Sequence, residues 1–130
     1  MAVLSIVIPA YNEERFIGTL LTQIKAVDLS RFSLDKEIIV VDNASTDGTV
    51  DILEQFEDRC QIVYNDENVG FAAAQNQAIS LARGHWILTL NPDVLLMPSF
   101  IGSLVEAGNM DPKTGTVCGK LLTIRASFDL

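Results

Sequence analysis

The 130 residues carry 9 basic against 17 acidic side chains, for a formal net charge of −8. That length suits one compact domain, and a composition 48% hydrophobic and 20% charged excludes wholesale disorder. A pI near 4.4 lacks the basic clustering of a nucleic-acid scaffold, so no nucleic acid is expected as a partner.

The first strand is predicted over Leu4-Ser5-Ile6-Val7-Ile8, a β-branched run closed by Pro9. It lacks the basic n-region of a signal peptide and breaks at once into Pro9-Ala10-Tyr11-Asn12-Glu13. Phe16, Ile17, Leu20, Leu21 and Ile24 recur at helical spacing. Glu13 and Glu14 suit the positive end of a helix starting there. Residues 37–42 (EIIVVD) are apolar on both faces, as in a buried parallel strand. Asn43-Ala44-Ser45-Thr46-Asp47-Gly48 is loop chemistry, and a second helix turns Val50, Leu53 and Phe56 inward.

A short third strand covers residues 61–64, with Tyr64 in the core. After a polar loop at 65–70, an Ala-rich helix spans residues 71–83 and ends at Gly84. Its neighbourhood, residues 68–82, is the longest uncharged stretch. It contains Gln75, Asn76 and Gln77 and falls short of the ~20 apolar residues of a membrane span. Residues 85–90 form a fourth strand closed by Asn91-Pro92-Asp93; residues 99–107 are helical, and residues 115–124 form a fifth strand. Cys60 and Cys118 show no CxxC or Cys/His ligand spacing and read as reduced thiols of a cytoplasmic protein.

Strands alternating with helices define an α/β fold, an open and mostly parallel sheet with helices on both faces. Ligands of such sheets bind beyond the C-terminal ends of the strands, where strand order reverses. The distinctive polar residues all sit at those ends: Tyr11, Asn12 and Glu13; Asp42 to Asp47; Asn68 and Gly70; Asn91 and Asp93. A strand order of 3-2-1-4 brings these loops to one cleft.

No GxGxxG follows the first strand, and there is no GxxxxGK[ST] and no GxSxG. These absences exclude a nicotinamide or flavin fold, a Walker NTPase and a nucleophile-elbow hydrolase. Loops 9–13, 42–49, 65–70 and 91–93 contain no Lys or Arg. A phosphate-bearing ligand there needs a bridging divalent cation, Mg²⁺ or Mn²⁺, with Asp93 as its carboxylate.

Four segments in order then resemble the inverting family 2 glycosyltransferases of GT-A fold. They are Val3 to Glu14 (VLSIVIPAYNEE), Ile39 to Thr49 (IVVDNASTDGT), Asn68-Val69-Gly70-Phe71, and Leu90-Asn91-Pro92-Asp93. The Asn-Pro-Asp version of the last is similar to the rhamnosyltransferase-like branch, which tends to use dTDP-rhamnose. The resemblance covers residues 3–120 and only the nucleotide-binding front half of such enzymes. It implies one nucleotide-sugar-binding domain over 1–130, a truncated GT-A catalytic domain.

The resemblance also implies roles. Pro9, Ala10, Tyr11 and Glu13 wrap base and ribose, with Tyr11 packed on the base and Glu13 on the ribose. Asp42 accepts the imino N–H of uracil or thymine. Gly70 lets the chain pass close to the sugar diphosphate. Asn91 lies near ribose or metal-bound water, and Asp93 binds the metal. Asn76 is counted with the nucleotide-sugar-binding residues, in a segment where family members often carry a basic residue.

The implied activity is metal-dependent transfer, with inversion, from a UDP- or dTDP-sugar to a growing polysaccharide or a lipid-linked glycan. The alternative is a binding fragment without turnover. No catalytic residue is assigned, because the implied base lies beyond Leu130. The full-length protein is expected peripheral to the inner membrane face, and an exposed sheet edge favours a homo-oligomer.

Overall fold

The computed structural model describes residues 2–120, in the order β1 (Ala2–Ala10), α1 (Ile17–Ala26), a 3₁₀ turn (Ser30–Phe32), β2 (Leu34–Asp42), α2 (Thr49–Glu54), β3 (Gln61–Tyr64), α3 (Phe71–Leu81), β4 (Trp86–Thr89) and α4 (Phe100–Asn109). It parts into two compact units, Met1–Leu96 and Met97–Leu130. The first holds the whole sheet, in the expected order β3-β2-β1-β4. All three pairings are parallel, with Ala10 opposite Asp42, Val7 opposite Thr89, and Asp42 opposite Tyr64.

β1 and β2 are central, so both faces of each are covered and their sequences are apolar without alternation. Period-two geometry divides these side chains between the faces. Val7, Ile39 and Val41 pack on one side against Ala74 and Ala78 of α3, whose small side chains let the helix lie close. On the other side Ile38 shares a small cavity with Leu21, Phe56 and Cys60. Leu20, Leu21 and Ile24 of α1 are fully buried, each contributing about 1.5–3 kcal/mol of transfer free energy. α1 also meets α2, where a Cβ on Gly18 would sit 3.3 Å from Ile52 Cγ2.

Several boundaries differ from the sequence reading, each for a local reason. β1 does not stop at Pro9. Its odd-numbered residues turn their backbone toward β4, where the Val3 and Val7 carbonyls accept the N–H groups of His85 and Leu90. At Pro9 that neighbour has ended, so a missing N–H costs nothing in the ladder. α1 begins at Ile17, with Glu13 and Glu14 before it; the Glu13 carbonyl accepts the N–H groups of Phe16 and Ile17.

α3 ends at Leu81 rather than at residue 83, because the Arg83 N–H is donated to Glu37 at 2.7 Å. Tyr64 is not core: it is exposed, and its hydroxyl donates to Glu57 at 2.8 Å. Residues 115–120 are irregular where a fifth strand was expected, and residues 121–124 of that expectation lie outside the described residues.

The second unit contains α4, whose inner face carries Ile101, Val105 and Gly108. Cys60 is buried and Cys118 exposed, both as free thiols, and burial pushes the Cys60 thiol up to about 11. Among the described residues no helix is long and apolar enough to cross a membrane.

Candidate functional site

The strand order brings the four loops to the same end of the sheet. There a cavity of about 360 Å³ is lined by Pro9, Ala10, Tyr11, Glu13, Asn43, Asn68, Phe71, Asn91, Pro92 and Asp93. Six of the residues singled out from sequence therefore meet: Pro9, Ala10, Tyr11, Glu13, Asn91 and Asp93. Asn43, Asn68, Phe71 and Pro92 join them. Asn43, Phe71 and Pro92 lie directly beside a chosen residue or between two of them, and Asn68 is one of the strand-end polar residues that the sequence had marked.

The loops after β1 and β2 are interlocked. Asn12 stands at φ 51°, left-handed backbone that Asn tolerates. Its N–H donates to Ser45 Oγ at 2.9 Å, and its Oδ1 accepts the Thr46 N–H at 2.7 Å. The Glu13 N–H donates to Thr49 Oγ1 at 2.8 Å; that hydroxyl in turn donates to Asp47 Oδ1 at 2.5 Å. Asp47 also accepts the Thr49 N–H at 2.9 Å, and Glu14 accepts the Gly48 N–H at 2.9 Å. Asp47 and Glu14 thus serve the orphan donors at the start of α2.

Electrostatically the cavity is one-sided. No cation stands among its lining residues. Burial, then the negative charges of Asp93 and Asp47, push the Glu13 carboxyl above its ordinary value of 4.5. Tyr11 and Phe71 contribute exposed aromatic surface, 46% and 58% accessible.

Asp42 ends β2 opposite Ala10 and is buried, 1% exposed; like Gly70, it is not among the residues lining the cavity. Its Oδ2 accepts the Ser45 N–H at 3.2 Å, while its buried Oδ1 has no partner. An unsatisfied buried carboxylate oxygen is costly and points to a missing donor. Gly70 has φ +89° and ψ 160°, a region essentially restricted to glycine, yet an added Cβ would meet nothing within 4 Å. The backbone conformation, rather than crowding by protein atoms, requires glycine there. Asn76 lies on the exposed side of α3, two residues from each of the buried Ala74 and Ala78, and does not line the cavity.

Among the described residues no three His, Cys, Asp or Glu side chains cluster as a metal cage. A divalent ion wholly caged by protein does not fit. One held by Asp93 and completed by ligand phosphates and water does fit, because Mg²⁺ commonly uses one or two carboxylates in this way.

The chain matches the glycosyl transferase family 2 domain over residues 5–127. Validoxylamine A glucosyltransferase of Streptomyces hygroscopicus subsp. jinggangensis (strain 5008) is 36% identical over 111 residues, which are 80% of this chain and 25% of that one. Mannosyltransferase PcManGT from Pyrobaculum calidifontis, solved in complex with GDP-Man and Mn²⁺, superposes with a TM-score of 0.71 at 31% identity. The match covers 84% of this chain and 32% of that chain.

Glucosyl-3-phosphoglycerate synthase from Mycobacterium tuberculosis, solved with Mn²⁺, UDP and glucosyl-3-phosphoglycerate, gives a TM-score of 0.64 at 25% identity. That match covers 81% of this chain and 39% of that chain. The chain spans 25% to 35% of the length of three curated relatives that it matches. The parallel 3-2-1-4 sheet is that of the GT-A glycosyltransferases. By its sequence and by its fold, the chain belongs to glycosyl transferase family 2.

Proposed function

We propose that the chain is the donor-binding part of a glycosyltransferase that moves a sugar, with inversion, from a UDP- or dTDP-sugar to a glycan or lipid-linked acceptor. The observation that carries this reading is the convergence of Glu13 and Asp93 on a cavity with no cation in its lining. Such a pocket repels a bare diphosphate and accepts one that arrives with a divalent metal. The structurally similar enzymes solved with Mn²⁺ support the same reading.

In this proposal Tyr11 packs on the base, with Pro9 and Ala10 forming the wall beside it. The unpartnered Asp42 Oδ1 accepts the imino N–H of the pyrimidine, a donor that uracil and thymine share. Glu13 holds the ribose and Asn91 stands beside it. Asp93 is the protein's ligand to Mg²⁺ or Mn²⁺, and Gly70 allows close approach of the sugar diphosphate. A divalent ion bound there stabilises negative charge on the diphosphate leaving group.

Inversion means that the acceptor oxygen bonds to the anomeric carbon as the bond to the diphosphate oxygen breaks, with the hydroxyl proton passing to a base. The described residues bind and orient the donor. The proposal places the base in sequence beyond Leu130.

The test is thermal unfolding of the 130-residue chain with UDP or dTDP, in Mn²⁺ and in chelator. Ligand at a hundredfold excess over its dissociation constant stabilises by about 2.7 kcal/mol. The expected result is stabilisation that disappears on chelation; no stabilisation by either nucleotide with metal present overturns the reading. Release of nucleotide diphosphate on adding an acceptor, measured on a longer product of the same reading frame, separates a transferase from a binding fragment.

A further inference from the structure

Asn43 is 4% exposed at the mouth of β2. A carboxamide offers two N–H donors and an oxygen with two lone pairs, and here all four positions are used. Nδ2 donates to Asn68 Oδ1 at 2.8 Å and to the Gly70 carbonyl at 3.2 Å. Oδ1 accepts the Val69 N–H at 2.9 Å and Asn65 Nδ2 at 3.3 Å. The Asn43 N–H itself donates to the Ala10 carbonyl at 2.8 Å.

The lattice continues outward. Asn65 and Gln77 exchange two amide hydrogen bonds, at 2.8 and 3.0 Å, which fasten the loop to α3. Asn68 Oδ1 also accepts the Gly70 N–H at 2.9 Å. Gly70 holds its unusual backbone only if its surroundings over-determine it, and Asn43 grips Asn68, Val69 and Gly70 together.

With its hydrogen-bonding capacity spent, Asn43 has no valence left for a ligand, although it lines the cavity. We infer that Asn43 is a positioning residue for the donor site: its saturated carboxamide fixes residues 68–70, and through them the cavity wall formed by Asn68 and Phe71. This rests on the donor-site reading above, and goes beyond it by assigning the wall's geometry to one side chain on another strand.

Asn43→Asp tests it, because the near-isosteric change puts a carboxylate oxygen against two acceptors, Asn68 Oδ1 and the Gly70 carbonyl. In the ligand-free chain, amide hydrogen exchange at Val69 and Gly70 should accelerate about tenfold, with Ile39 and Val41 unchanged. In Mn²⁺, UDP affinity should fall about tenfold, while uridine, which lacks the diphosphate, should keep its affinity within about twofold.

Uniform acceleration across β1 and β2, or equal losses for uridine and UDP, overturns the inference by making Asn43 an ordinary fold residue. Should that variant fail to fold, Asn65→Ala removes only the outermost of the four bonds and the Gln77 pair. The three bonds from Asn43 to residues 68–70 survive in Asn65→Ala, so exchange at Val69 and Gly70 should stay within about twofold of wild type; an acceleration of about tenfold there assigns the hold to Asn65 and Gln77 and overturns the inference. A wild-type chain that binds no UDP with Mn²⁺ removes the donor-site reading, while the ligand-free exchange pattern still decides whether Asn43 holds the loop.

Discussion

The side-chain oxygen of Asn12 accepts the Thr46 N–H at 2.7 Å, joining the loop that follows β1 to the loop that follows β2. Tyr11 and Glu13 flank Asn12, so the two residues proposed to hold base and ribose are aimed by a bond made 34 residues further along the chain.

Replacing Asn12 by Ala removes that bond and also strains the φ of 51°; Asn12→Gly removes only the bond. Both variants should lose UDP affinity, by about threefold to tenfold for the lost hydrogen bonds. Asn12→Ala should melt lower, by about 1 kcal/mol of left-handed backbone strain. Isothermal titration with Mn²⁺-UDP and thermal unfolding check the two parts separately. Full affinity in Asn12→Gly contradicts the aiming role.

Asp42→Asn keeps the shape of the side chain but offers an N–H where the proposed pyrimidine imino group also donates. UDP affinity should drop about tenfold or more, as expected for a buried hydrogen bond turned into a donor clash. Inorganic pyrophosphate with Mn²⁺ should bind as in the wild type. Competition assays with both ligands measure the difference, and parallel losses place Asp42 outside base recognition.

Asp93 is exposed on the loop after β4. Its replacement by Ala should leave stability within about 0.5 kcal/mol, as for surface sites generally. The Mn²⁺-dependent part of UDP binding should vanish. Titration in metal and in chelator decides; a metal effect that survives in Asp93→Ala moves the ion elsewhere.

Acid should weaken the fold at the opposite end of the sheet. Burial alone would raise the Glu37 carboxyl, but hydrogen bonds from Ser5 Oγ (2.5 Å) and from the Arg83 N–H (2.7 Å), together with the Arg83 guanidinium (2.8 Å), hold it below its ordinary 4.5. The unfolded chain therefore takes up a proton at this site before the native chain does. Stability is complete above the unfolded value and is lost as pH falls through the lower native value. Urea midpoints should decline below about pH 4.5, and more shallowly in Glu37→Gln. Equal slopes for the two proteins remove Glu37 from the acid transition.

Much of the site was legible because strand-end loops in a parallel sheet share one location once the strand order is known. β2 announced itself as central by being apolar on both faces, and Pro9, Tyr11, Glu13, Asn91 and Asp93 then met as expected. Gly70 was picked out for close approach to a ligand, yet the positive φ is what demands glycine there.

Other features depend on partners distant in sequence, which no local pattern encodes. Asn43 was read as loop chemistry, since its four bonds reach residues 22 to 27 positions away. The end of α3 was misplaced because Glu37, 46 residues earlier, captures the Arg83 N–H. Asn76 sits in the right helix but on the turn's outer side, a distinction that depends on which alanines the sheet buries.

Asn43, Asn65, Asn68 and Gln77 are all neutral dipoles, and none of them changes charge in ordinary buffers. The contour of the wall and the acidity of the medium are thereby kept apart. Swapping any of those amides for its acid would couple the two and make the contour of the cleft itself a function of the medium.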